Sequence, residues 1–284
     1  MGPRSMAILE IILIALPCLA AQPWLAAPRP PPGANWQFQG VSRGGVTTFA
    51  KPSPSGHLFF HGSLYAPGVH ISELLAETLD DRHATEWVDK LLEIRSATWS
   101  GRRSQAPWGS HVCEDVSFQV FDGPWPVSDR EALMHRTLWT TRANKTARLS
   151  FEPIEELRSF PVGRNRVRAD VSSEFEFVAH GQELGTRISL MGYVDPKGIL
   201  PVALINLLNK DWAANTIAGL LRKVRRDEVR RLVLRSPLAR GACRGVDLSQ
   251  WGSQVAALAS GQSSSWAEWL GFGSFWSAPA SVEL

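Results

Sequence analysis
The sequence predicts an α+β fold in which a long C-terminal helix closes the dry face of a curved antiparallel sheet. Three observations carry this. From Val112 to Tyr193 the chain reads as strand almost without a break. Its clearest stretch puts Val167, Ala169, Val171, Phe175 and Phe177 on one face and Arg168, Asp170, Glu174 and Glu176 on the other. From Ile199 to about Arg231 the spacing turns helical. Leu200, Ala203, Leu204, Leu207, Leu208, Ala214, Ala218 and Leu221 form a stripe, while Val202, Ile205, Trp212, Ile217 and Leu220 fill much of the other side. A helix this apolar is buried on two sides or lies against lipid. Third, two successive strands each place one charge on an apolar face: Glu114 with Val112, Val116, Phe118 and Val120, and Arg136 with Ala132, Met134 and Leu138. A lone buried charge is costly and normally has a partner, so Glu114 and Arg136 are expected to pair.

Taken in order, residues 1–21 read as a signal peptide: Arg4, an apolar run from Ile8 to Leu16, then small residues through Ala21. An uncleaved membrane anchor is the alternative, although the run is short for a span. Export to a secretory or periplasmic compartment is the expected localisation. Residues 22–34 are a proline-rich linker. Strands are expected at 35–41, 45–51 and 58–64, and helices at 70–79 and 85–94, where Trp87, Leu91 and Ile94 share a side. Asn144-Lys145-Thr146 fits a glycosylation acceptor in a polar turn. Past the long helix, residues 233–284 are a glycine-, serine- and alanine-rich tail with aromatics from Trp266 to Trp276.

The chain has 284 residues, 44% of them hydrophobic and 20% charged, so it can bury a full core. A net charge of +3 is too small to imply nucleic acid. Twelve tryptophans suggest contact with a ligand or a membrane interface. After removal of a signal peptide, Cys113 and Cys243 remain. They are expected as free thiols, with one disulfide the alternative in an oxidising compartment. No metal motif, cofactor fingerprint or nucleophile elbow is present, and His111 and His135 read as polar residues on the wet side.

Pro124-Trp-Pro-Val-Ser-Asp-Arg130, followed by Asp195-Pro-Lys-Gly-Ile-Leu-Pro201 and Asn206, resembles two signatures of the START family, the domains related to the steroidogenic acute regulatory protein. The resemblance implies a helix-grip fold over residues 35–232, with a lipid-sized cavity under the C-terminal helix. START domains often begin with a helix, which the proline-rich stretch does not supply. By resemblance the chain binds, and in one reading transfers, a single lipid such as a sterol or glycerolipid, without cofactor or metal, as a monomer. Glu114 and Arg136 would form a polar clamp, and Trp139, Phe175, Phe177, Leu204 and Leu208 would line the wall. Arg130 is read as holding a turn. About ten buried methylenes, at about 0.8 kcal/mol each, suffice for roughly micromolar binding. The basic run from Arg222 to Arg231 is read as a solvated face or a dock on anionic membrane, and the tail aromatics as an interfacial anchor or an appendage. Two other readings stay open: a membrane-tethered interaction module with a filled interior, and a helix-grip enzyme, cyclase-like, on a hydrophobic substrate. Cavity volume separates the first of these from a lipid carrier.

Overall fold
The computed structural model describes residues 33, 35–99, 110–123, 127–141, 146–155, 157–180 and 185–225. Ten strands form one sheet: β1 Gln37–Val41, β2 Thr47–Pro52, β3 Leu58–Pro67, β4 Leu91–Thr98, β5 Ser110–Phe121, β6 Arg130–Thr140, β7 Thr146–Pro153, β8 Val167–Arg168, β9 Asp170–His180 and β10 Gly185–Asp195. Their order is β1-β2-β3-β10-β9-β7-β6-β5-β4, antiparallel throughout, with β8 pairing in parallel on β6. Helices α1 Ile71–Thr78, α2 Val202–Asn209 and α3 Trp212–Val224 complete the domain, with a 3-10 helix at Asp81–Glu86. The helix-grip arrangement expected from the sequence is present.

The alternation read at 167–177 is realised. Ala169, Val171, Phe175 and Phe177 are buried in the main core, beside Leu149 and Phe151 of β7 and Ile188 and Leu190 of β10. On the opposite face Glu174 and Glu176 meet Arg148, whose Nη2 lies 2.6 Å from Glu176 Oε1.

Two expected helices are corrected. Residues 85–94 are the end of the 3-10 helix followed by β4, which lies on the sheet edge against β5. Lys90 adopts φ 62°, a turn conformation no helix contains, and its carbonyl accepts from Asp122 N at 2.9 Å. The single helix expected from residue 199 is two helices broken at Lys210–Asp211. Different anchors hold the two pieces. Asn206 in α2 accepts from Leu58 N (3.0 Å) and donates to Gly56 O (3.2 Å), fixing α2 to the β2–β3 hairpin. At the start of α3, the Trp212 ring lies against Gly192 of β10, where any side chain would collide with it. Residues beyond Arg225, including much of the basic run and the aromatic tail, lie outside the described residues, as do residues 1–32 and Asn144.

Helix α3 buries Ala213, Ala214, Ile217, Leu220, Leu221 and Val224 against the concave side of the sheet. It comes close because Gly62 of β3 sits beneath Ala213 and Ile217, and because Gly219 lies against the backbone of Trp87. Helix α1 is started by a capping box, in which His70 Nδ1 accepts from Ser72 N and Glu73 Oε2 accepts from His70 N at 2.9 Å. It packs beside α3 and carries Glu77, which is 4% exposed and whose Oε1 has no hydrogen-bond partner. Burial pushes the Glu77 carboxyl up to about 7; Lys223 and Arg82 oppose the shift, and Asp80 and Glu86 add to it. Cys113, expected as a free thiol, is disulfide-bonded. Distance along the sequence, the basis of that expectation, does not decide proximity in a fold.

Two outcomes follow from this packing. A Cβ on Gly219 would lie 2.3 Å from the Trp87 carbonyl oxygen, so Gly219→Ala is expected to lower stability by about 1–3 kcal/mol in a denaturant titration. Glu77 holds its proton in the folded chain up to about pH 7 but, once unfolded, only to about 4.5. The folded state therefore binds more protons within that window, and stability falls as pH rises through it, by up to about 3 kcal/mol. Denaturation midpoints measured from pH 4.5 to 8 should show this slope, and Glu77→Gln should flatten it.

Candidate functional site
Between the concave sheet face and the helices lies a cavity of about 40 Å³. Ile94, Phe121, Phe151, Val171 and Phe175 supply its sheet wall; Trp87, Val88, Trp212 and Thr216 close it from the helical side. Gln119, Ser173 and Thr78 add neutral polar groups, and Arg136 is the charged residue on its lining.

Arg136 is 1% exposed and fully engaged with protein. Its Nε donates to Asp115 Oδ1 at 2.9 Å and its Nη2 to Asp115 Oδ2 at 2.8 Å, a two-pronged pair. Nη1 donates to Asp81 Oδ1 at 2.8 Å, and Nη2 also reaches Asp81 Oδ2 (3.3 Å) and Ser96 Oγ (3.0 Å). The Ser96 hydroxyl in turn donates to Asp81. The carboxylates hold the guanidinium proton more tightly than in water, against the cost of burial. Burial pushes the Asp115 carboxyl up, and Arg136 pulls against that shift.

The expected pairing of Arg136 with Glu114 is therefore corrected. In the β5–β6 register Asp115 stands opposite Arg136, and Glu114 stands opposite Thr137 on the other face. There Glu114 Oε2 lies 3.3 Å from His135 Nε2, and the His135 ring stacks on Trp99 at 4.1 Å. The error has a plain cause. Both strands alternate as read, but the apolar face of β5 does not point at the main core. Val116, Phe118 and Val120 pack with Leu133 and Phe160 in a second, smaller core on the convex side. The inward face of β5 is the polar one: Asp115, Ser117 and Gln119, ending in Phe121.

The other expected wall residues divide. Phe175 lines the cavity, and Phe177, fully buried, stacks on it at 5.6 Å. Trp139 pairs with Arg148 across β6 and β7, on the face opposite Arg136 and the cavity. Leu204 is 38% exposed and Leu208 half-buried; neither is on the lining, because the break before α3 leaves α2 outside the closed interior. Trp87, Gln119, Phe121, Phe151, Trp212 and Thr216 take the places expected of them. The polar residues that alternate with the apolar ones along β5 were the signal for Gln119 and Asp115; for Trp87, assigned to a helix that does not form, the sequence held none.

The two signatures singled out in the sequence meet in space. Arg130 Nε donates to Pro196 O at 2.9 Å and its Nη1 to Ser128 O, so the residue clasps the turn after β10 to the start of β6. That turn is set by Lys197 (φ 52°) and Gly198 (φ 76°), with Asp195 Oδ1 accepting from Lys197 N. Pro124, Trp125 and Pro126 lie outside the described residues.

No family model and no curated protein sequence matches this chain. Solved structures do. The human STARD10 structure superposes with a TM-score of 0.60 at 17% identity, over 77% of this chain and 86% of that one. Human StAR-related lipid transfer protein 5 gives 0.57 at 15% identity, over 79% and 99%. A STAR-related lipid transfer protein fragment from Xanthomonas axonopodis gives 0.56 at 15%, over 68% and 99%. The fold is START-like.

Removing the guanidinium would leave Asp115 and Asp81 facing each other in the interior. Arg136→Leu is therefore expected to cost about 3–5 kcal/mol, read as a lowered denaturation midpoint, with Arg136→Lys recovering part of the loss.

Proposed function
We propose that this START-like domain, taken as residues 35–232, binds one hydrophobic lipid, a sterol or glycerolipid, between its sheet and α3 and shields it from water in transfer between membranes. The observation that carries the reading is the apolar interior closed by α3, with a buried charge on its lining already balanced by protein groups. The likeness to lipid transfer domains supports it. At about 40 Å³ the cavity holds a few waters, whereas sites for lipid-sized molecules run to several hundred cubic ångströms. Binding in this reading therefore needs α3 and the Trp87 segment to part from the sheet, and the break at Lys210–Asp211 is where the chain can bend.

The surface beside that break suits a membrane. Ile199, Leu204 and Leu207 are exposed on α2 and its approach; at the far end of α3, Arg222 and the capping residue Arg225 are also exposed. Apolar side chains in the headgroup region together with cations over anionic lipid make such a contact favourable. Export is part of the proposal, and the disulfide at Cys113 is consistent with an oxidising compartment. The reading involves no chemical step. A second reading, an interaction module whose interior is filled by its own side chains, draws on the small cavity volume.

Native mass spectrometry of the protein purified from its own host, followed by lipid extraction, separates the two. One co-purifying apolar species near unit stoichiometry is the expected result. A protein that arrives empty and takes up no lipid from vesicles would establish the filled module instead.

A further inference from the structure
Among the described residues, the buried polar side-chain atoms with neither a hydrogen-bond nor an ion-pair partner include His61 Nδ1, Glu77 Oε1, Trp87 Nε1 and Arg168 Nη1. Only one of these residues, Trp87, lines the cavity. A tryptophan buried to this degree nearly always has an acceptor for its N–H, because an unmet donor in a dry interior costs about as much as a lost hydrogen bond. Here the ring packs edge-on to Phe175 at 6.1 Å, held between the sheet and α3.

The charge on the lining points the same way. Arg136 has spent its donors on Asp115, Asp81 and Ser96. With two carboxylates to one guanidinium, the cluster offers no attraction to an incoming anion. Neither carboxylate residue is on the lining, so a cationic head group finds no counter-charge there. What remains is an apolar wall with neutral polar groups, and one of its residues, Trp87, carries an unmet donor.

We infer that the indole N–H of Trp87 is the group that recognises the ligand, and that the ligand is a neutral apolar molecule carrying an oxygen acceptor such as a hydroxyl or carbonyl. This rests on the ligand-binding reading above. Binding would give the donor the partner it lacks, so an otherwise identical ligand without the oxygen leaves it unmet and binds more weakly.

The test titrates the full-length protein, labelled with nitrogen-15 at the indoles, with hexadecan-1-ol, hexadecane and hexadecyl phosphate. The Trp87 indole resonance is assigned by its loss in Trp87→Phe or, if that variant does not fold, by its proximity to the Phe175 ring. The alcohol is expected to bind about tenfold more tightly than the alkane, to move the Trp87 N–H resonance, and to lose its advantage in Trp87→Phe. Equal affinity for alcohol and alkane, an unmoved resonance with the alcohol bound, or a preference for the phosphate would overturn the assignment of Trp87 while leaving a lipid-binding interior in place. Binding of none of the three would overturn both.

Discussion
Arg136 reaches inward from the middle of β6, and three other segments close on it: β5 through Asp115, β4 through Ser96, and the 3-10 helix through Asp81. Each contact is directional, and a buried guanidinium that lost one would face a steep desolvation penalty. The pairing therefore fixes the register of β5 on β6 and the position of the segment that follows α1. Trp87, the cavity wall and the seat of Gly219 all hang from that segment. Arg136 sits on the lining with its donors already taken by Asp115, Asp81 and Ser96, so its charge is met within the protein.

The architecture was legible because its signals were long. Six strands between Ser110 and Asp195 keep a period of two, and the apolar helix could pack nowhere but across them. The site was less so, for reasons that lie in individual residues. Glu114 was assigned inward because Val116, Phe118 and Val120 accompany it, and an apolar face was taken to mean the main core. The protein has a second core under Phe160, and it claims that face. Parity within one strand was sound; the relation between strands depends on the connection, where Asp115 and not Glu114 falls opposite Arg136. Residues 85–94 misled in another way. Their apolar spacing is helical, yet a left-handed turn at Lys90 and pairing to β5 override it, a tertiary contest that local periodicity does not register. Leu204 and Leu208 were placed inside because no proline or glycine marks the break that follows α2.

Arg130 shows the converse, a role read correctly from its motif. Its grip on Pro196 joins two segments that are remote in the chain, and so the entry to β6 and the approach to α2 move as one piece. Asn206 then ties α2 to the β2–β3 hairpin. The approach to α3 is thus fastened at both ends of its sheet contacts, while α3 itself packs on the sheet and is hydrogen-bonded through Thr216, Asn215 and Lys223 to Asp89 and Glu86.

The strand order has a consequence for how the chain is made. β3 pairs with β2 on one side and with β10 on the other, and β10 is the last strand among the described residues. During synthesis the first three strands can form a hairpin ribbon at once, but its inner edge stays open until nearly the whole domain has emerged. Open edges invite pairing with other chains, and contacts this distant in sequence close slowly. Throughout that interval Leu64 and Ala66 of β3 lack their strand partners Ile188 and Thr186.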